Sequence, residues 1–92
     1  MLNNVFIVGR LAEAPIKNTV VVAVSRSFKN KEGIYETDFI KCKLCKNIAR
    51  HALEYLRKGD MVGLKGLIRT KANNNYSIEI LVTKLTYLST HR

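Results

Sequence analysis

The chain has 92 residues, enough for one small domain. Its 16 Lys and Arg against 7 Asp and Glu leave a formal charge of +9, which favours a densely anionic partner, nucleic acid or an anionic membrane surface. A binder of basic ligands is nearly excluded, seven acids are too few for an enzyme that needs several carboxylates, and a hydrophobic content of 47% excludes a disordered basic tail.

The basic excess is not confined to one end. Residues 1–46 carry eight basic and four acidic groups, and residues 47–92 carry eight and three. A basic arm would concentrate its charge, so the binding surface is expected on the fold itself. The early apolar runs Val5–Val8 and Val20–Val24 are far shorter than a spanning helix or a signal-peptide core. With two cysteines and no basic leader, the expectation is a reduced cytoplasmic protein without membrane contact.

Along the chain, Asn4–Leu11 reads as a first strand, broken at Ala14-Pro15. Thr19–Ser25 is small or β-branched throughout and reads as a strand covered in part on both faces. Lys29–Gly33 is a polar hairpin loop, and Tyr35–Leu44 is the third strand. The period then changes. Ile48, Ala49, Ala52, Leu53 and Leu56 form one stripe of a helix over Asn47–Arg57, with Asn47 as N-cap, Arg57 and Lys58 in the last turn and Gly59 at C′. Met61–Thr70 is strand-like, Asn73–Asn75 a turn, and Tyr76–Leu88 a last strand. Five strands with a helix between the third and fourth predict an all-β fold, an OB-fold: a five-stranded Greek-key barrel spanning residues 1–92 as a single domain.

The third strand is the most informative segment. Alternation sends Ile40, Cys42 and Leu44 to one face and Phe39, Lys41 and Lys43 to the other. An aromatic ring beside two ammonium groups suits a single-stranded nucleic acid, whose bases stack while its phosphates pass the lysines. The plainer alternative is an edge strand guarded by lysines. In the fourth strand Lys65, Arg69 and Lys71 share one parity, and Val62, Leu64 and Ile68 the other. Phe28 ends the second strand, followed by Lys29 and Lys31, and Tyr76 opens the last. The candidate stacking residues are therefore Phe28, Phe39 and Tyr76. The candidate phosphate contacts on these strands and loops are Arg10, Lys29, Lys31, Lys41, Lys43, Lys65, Arg69 and Lys71.

Cys42 and Cys45 form a C-x-x-C spacing, the basis of an alternative reading as a thiol–disulfide module. Strand parity opposes it, burying Cys42 and turning Cys45 away. A metal site would need a second pair, and His51 and His91 are the only other soft ligands; His51 is expected at the surface. Gly63-Leu64-Lys65-Gly66 lies inside a strand-like run, where bending of a small barrel explains it better than a nucleic-acid-binding loop between helices. No catalytic constellation and no cofactor is implied.

Five stretches, in order along the chain, carry a resemblance. They are Phe6-Ile7-Val8-Gly9-Arg10-Leu11, Ser25-Arg26-Ser27-Phe28-Lys29-Asn30-Lys31-Glu32-Gly33, Tyr35-Glu36-Thr37-Asp38-Phe39-Ile40, Glu54-Tyr55-Leu56-Arg57-Lys58-Gly59 and Gly66-Leu67-Ile68-Arg69-Thr70. Jointly the chain resembles the bacterial single-stranded DNA-binding protein family. The resemblance implies an OB-fold, a homotetramer in most members rather than a dimer, and sequence-independent binding of single-stranded DNA in replication, recombination and repair. Phe28 and Phe39 match stacking positions, and Arg57, Lys58, Arg69 and Lys71 match basic positions along the DNA path.

The departures are specific. Cys45 stands where an aromatic is usual, Ala72 stands near a stacking Trp position, and the chain has no Trp. The turn after Ala14-Pro15 and the Asn73–Asn75 loop are shorter than usual, and Ile40 replaces a residue near subunit contacts. The sequence ends at Arg92 without the family's acidic C-terminal tail, so the expectation is either a tailless member or a chain from which a tail was removed, with recruitment of replication proteins through a tail not expected. A primosomal PriB-like dimer of the same fold is the alternative within this class, and RNA is an alternative ligand.

Overall fold

The computed structural model describes residues 2–89. Its elements are β1 (Val5–Leu11), β2 (Thr19–Lys29), β3 (Tyr35–Leu44), α1 (Lys46–Tyr55), β4 (Met61–Lys71) and β5 (Asn74–Ser89). The strands close in the order β1-β2-β3-β5-β4, with β4 returning to β1. Every pairing is antiparallel except β3 with β5, which is parallel and joins Cys42, Lys43 and Leu44 to Ile80, Leu81 and Val82. This order, with the helix between β3 and β4, is that of an OB-fold.

Alternation builds the core. Ile7 and Leu11 of β1, Val20 and Val22 of β2, Cys42 and Leu44 of β3, Val62 and Leu64 of β4 and Val82 of β5 all turn inward and are buried. Space for closure comes from two glycines on the inner faces. A Cβ on Gly9 would lie 2.4 Å from the Ala23 carbonyl oxygen, and one on Gly66 would lie 2.3 Å from that of Leu81. Neighbouring backbones approach through the room that a side chain would fill.

Helix α1 differs from its sequence reading at both ends. Cys45, in extended conformation, is the N-cap and offers no side-chain hydrogen bond, so Asn47 lies inside the helix. Leu56 is the C-cap, and its N–H donates to the Ala52 carbonyl. Arg57, Lys58 and Gly59 thus lie beyond the helix, in the loop to β4. That loop is tied to the barrel instead: the Gly59 N–H donates to the Leu11 carbonyl and the Leu11 N–H to the Asp60 carbonyl, each at 2.9 Å. The buried Asp60 carboxylate accepts the Arg57 N–H at 2.9 Å. Ala49, Ala52 and Leu56 face the core, whereas Leu53, assigned to the same stripe, is exposed.

Two strands run further than their hydrophobicity suggests. β2 continues through the polar residues Arg26–Lys29, and β5 begins at Asn74, which narrows the preceding turn to Ala72 and Asn73. β2 is held to β3 in this stretch by Arg26, whose guanidinium bonds Asp38 at 2.9 and 3.0 Å and Glu36 at 2.8 Å. The hydrogen bonds from Arg26 hold the Asp38 carboxyl below the usual carboxylate range.

Candidate nucleic-acid interface

The parallel pairing of β3 with β5 lasts only three residues on each strand. Ahead of it, the Asp38–Lys41 segment of β3 is paired with β2 on one side alone. Three contiguous depressions of about 440, 370 and 360 Å³ occupy this part of the surface. The first is lined by Phe39, Lys41, Ile78 and Ile80, with the carboxylates of Asp38 and Glu79 also on its wall. The second is lined by Lys41, Cys42, Lys43, Lys71 and Glu79. The third is lined by Ile16, Lys17, Asn18, Thr19 and Lys41. Lys41 belongs to all three, so they form one path from an aromatic ring, past clustered ammonium groups, to the β1–β2 turn.

The outward face of β3 is as its alternation predicts. Phe39 is 67% exposed, Lys41 and Lys43 are exposed, and Cys42 and Leu44 are buried. Of the other predicted contacts, Lys71 joins the path. Phe28, Lys29 and Lys31 sit at the far end of the β2–β3 hairpin, where the Lys29 ammonium lies 5.6 Å from the centre of the Tyr35 ring. Tyr76 is exposed near the β4–β5 turn. Arg69 faces Glu79 across the strand pair and bonds its carboxylate at 3.3 Å.

Phe28, Lys29, Lys31, Arg69 and Tyr76 do not line the path, and neither do the remaining four. Lys65 is on the outer face of β4, directly opposite Lys84 of β5 and Phe6 of β1. Arg10 is aligned across Ala23 with Phe39, yet its guanidinium donates to the Gly59 carbonyl at 3.1 Å. Arg57 and Lys58 lie in that same loop after α1. The residues that sequence reading missed are Lys17, Asn18, Thr19, Ile78 and Glu79. Their alignment with β3 depends on strand register, which local patterning does not supply.

The thiol reading is opposed by the same geometry. Burial pushes the Cys42 thiol up from its ordinary 9.0 to about 11, away from the thiolate that redox attack requires. Both cysteines are free, Cys42 buried and Cys45 half-buried. Among the described residues no three His, Cys, Asp or Glu side chains converge as metal ligands. His51 is exposed and packs on Tyr55 with 4.5 Å between ring centres; His91 lies outside the described residues. No described helix is long and apolar enough to cross a membrane.

Residues 2–88 match the model of the single-strand binding protein family. The chain is 36% identical over 95 residues to single-stranded DNA-binding protein B of Bacillus subtilis, covering 92% of this chain and 84% of that protein. It is 38% identical over 95 residues to the single-stranded DNA-binding protein of Halalkalibacterium halodurans, covering 92% of this chain. It spans 56% of the length of the latter and 65% of the corresponding Oceanobacillus iheyensis protein. Among solved structures, a Plasmodium falciparum SSB in complex with ssDNA has the same fold, with a TM-score of 0.77, 22% identity, and coverage of 97% of this chain and 96% of that one.

Proposed function

The chain belongs to the single-strand binding protein family, and we propose that it binds single-stranded DNA through the path from Phe39 to the β1–β2 turn. It is a binding protein and not an enzyme. The continuous depression centred on Lys41 carries this reading. Bases stack on Phe39, with Phe28 and Tyr76 as further platforms at the hairpin ends, while phosphates follow Lys41, Lys43 and Lys71. Stacking on an exposed ring and attraction to an ammonium group are indifferent to base identity, so binding is independent of sequence. Such binding serves the protection of single strands in replication, recombination or repair, in the cytoplasm, with residues 1–92 acting as one OB-fold unit.

The protein assembles as a homo-oligomer, a tetramer in preference to a dimer. Support comes from the outer face of β1, where Phe6 and Val8 are exposed beside a strand edge that pairs with β2 only at Arg10 and Leu11. An unpaired edge beside exposed apolar side chains fits a second copy of the sheet.

Titration with oligo-dT and with duplex DNA at 50 and 200 mM salt tests the reading. Three phosphates neutralised by Lys41, Lys43 and Lys71 correspond to a log–log slope of about −2, or a loss of roughly 18-fold in single-strand affinity over that range. Salt-independent binding, or equal affinity for duplex, would overturn it. An oligo-U arm asks whether RNA competes, and mass measurement in solution gives the oligomeric state.

A further inference from the structure

Lys17 is the one non-glycine residue with a positive φ, 54°, among those described. It is the first of two residues in a tight turn closed by Ile16 and Thr19, whose N–H groups donate to each other's carbonyls at 3.0 and 2.9 Å. A positive φ at that position is what glycine adopts without penalty, whereas a Cβ-bearing residue there is strained. The turn is tied to the strands around it. The Asn18 carbonyl accepts the Leu44 N–H at 2.6 Å, the Ala12 N–H donates to the Val21 carbonyl at 2.8 Å, and Pro15 is buried. Three strands therefore hold the backbone of residue 17 in a conformation that its side chain disfavours.

What the position carries is a charge at the end of the path. Lys17 lines the same depression as Lys41, and no ion pair engages it among the described residues. Glu13 on the same rim is the one carboxylate lining that depression. We propose that Lys17 is a phosphate-contacting residue, fixed by the strained turn so that its ammonium extends the row of Lys41 and Lys43 across the β1–β2 connection. The inference rests on the single-strand reading and adds a contact to it. The local rule for this turn asks for glycine, and a lysine that breaks it fits a binding role.

Lys17→Gly separates the two demands, because glycine suits the backbone and removes the ammonium. The expected result is a melting temperature equal to or above that of the parent, together with weaker binding to oligo-dT. The slope of log affinity against log salt should fall by about 0.7, so the gain on going from 200 to 50 mM salt shrinks by about 2.6-fold. Lys17→Arg should keep the parent slope. An unchanged affinity and slope for Lys17→Gly would overturn the proposal and leave Lys17 as a turn residue, and a lower melting temperature would overturn its strain argument. A parent that fails to bind oligo-dT would instead reject the single-strand reading itself, so the two failures are distinguishable.

Discussion

The gap beside β3 and the outer face shared by β1, β4 and β5 hold the same kinds of side chain in different settings. In the gap, Phe39, Lys41 and Lys43 alternate along one strand beside depressions that also reach Ile78 and Ile80. On the outer face, Phe6, Lys65 and Lys84 form one row across three paired strands, with Phe6 73% exposed. In the next row Val8 lies opposite Gly63, whose missing side chain leaves Val8 and Leu88 as its nearest neighbours. A depression along a strand suits a thin polymer, whereas exposed apolar side chains beside an open edge suit another strand. Residue type alone therefore does not separate the two regions. Strand pairing does, since it lasts three residues between β3 and β5 but six between β1 and β4.

The comparison breaks most decisively at its two phenylalanines. Phe39→Ala should lose about 1–3 kcal/mol of oligo-dT affinity, roughly five- to 160-fold, in a fluorescence titration. Phe6→Ala should leave the affinity per subunit intact and lower the mass seen by sedimentation. Equal losses of affinity from both would make the outer face a binding surface as well.

The floor of the gap offers a second contrast, in pH. Cys42 is 1% exposed, and burial raises its thiol to about 11. Because the unfolded chain releases that proton near its ordinary 9.0, this contribution to stability is intact below pH 9 and lost as pH rises towards 11. The loss is on the order of 2 kcal/mol. Chemical denaturation from pH 8 to 11 should show Cys42→Ala with the flatter profile; parallel profiles would mean that the floor is open to water.

The smallest effect belongs to the outer face. Lys65 and Lys84 are directly opposite across an antiparallel pair, an arrangement that destabilises a sheet. Lys84→Glu should raise stability by about 0.2–1 kcal/mol, read as an upward shift in thermal melting, without changing oligo-dT affinity per subunit. A fall in affinity as large as that from Phe39→Ala would place Lys84 on the nucleic-acid path.

How much of this could be read from the chain varies with the range of the interaction. The outward set on β3 was legible because a period of two is written into consecutive residues, and Phe39, Lys41 and Lys43 obey it. The order of strands and helix was legible for the same reason. The ends of α1 were not, because the chain begins its helix at Cys45 without a side-chain cap and anchors the far end through Gly59 and Asp60 to Leu11. Leu53 fits a helical stripe but misses the core, since a short helix resting on a barrel buries only a narrow face through Ala49, Ala52 and Leu56. The end of β2 was placed at Phe28, one residue short, but what holds its polar stretch was not legible, because Arg26 binds it to Glu36 and Asp38 by charge and not by apolar burial. Lys17 and Ile78 lay beyond local reading altogether, since strand pairing brings the two ends of the path to Lys41.

Gly66 gives the gap a gauge. It lies opposite Val82 on the same β5 strand whose Ile80 is aligned with Cys42. With only hydrogen in place of a side chain, β4 lets the Leu81 carbonyl come where a methyl group would sit. Any larger residue there must displace β5, and with it the wall formed by Ile78 and Ile80. On the proposed reading, the width of the gap beside β3 is thus set from inside the barrel, by a residue that lines none of its depressions.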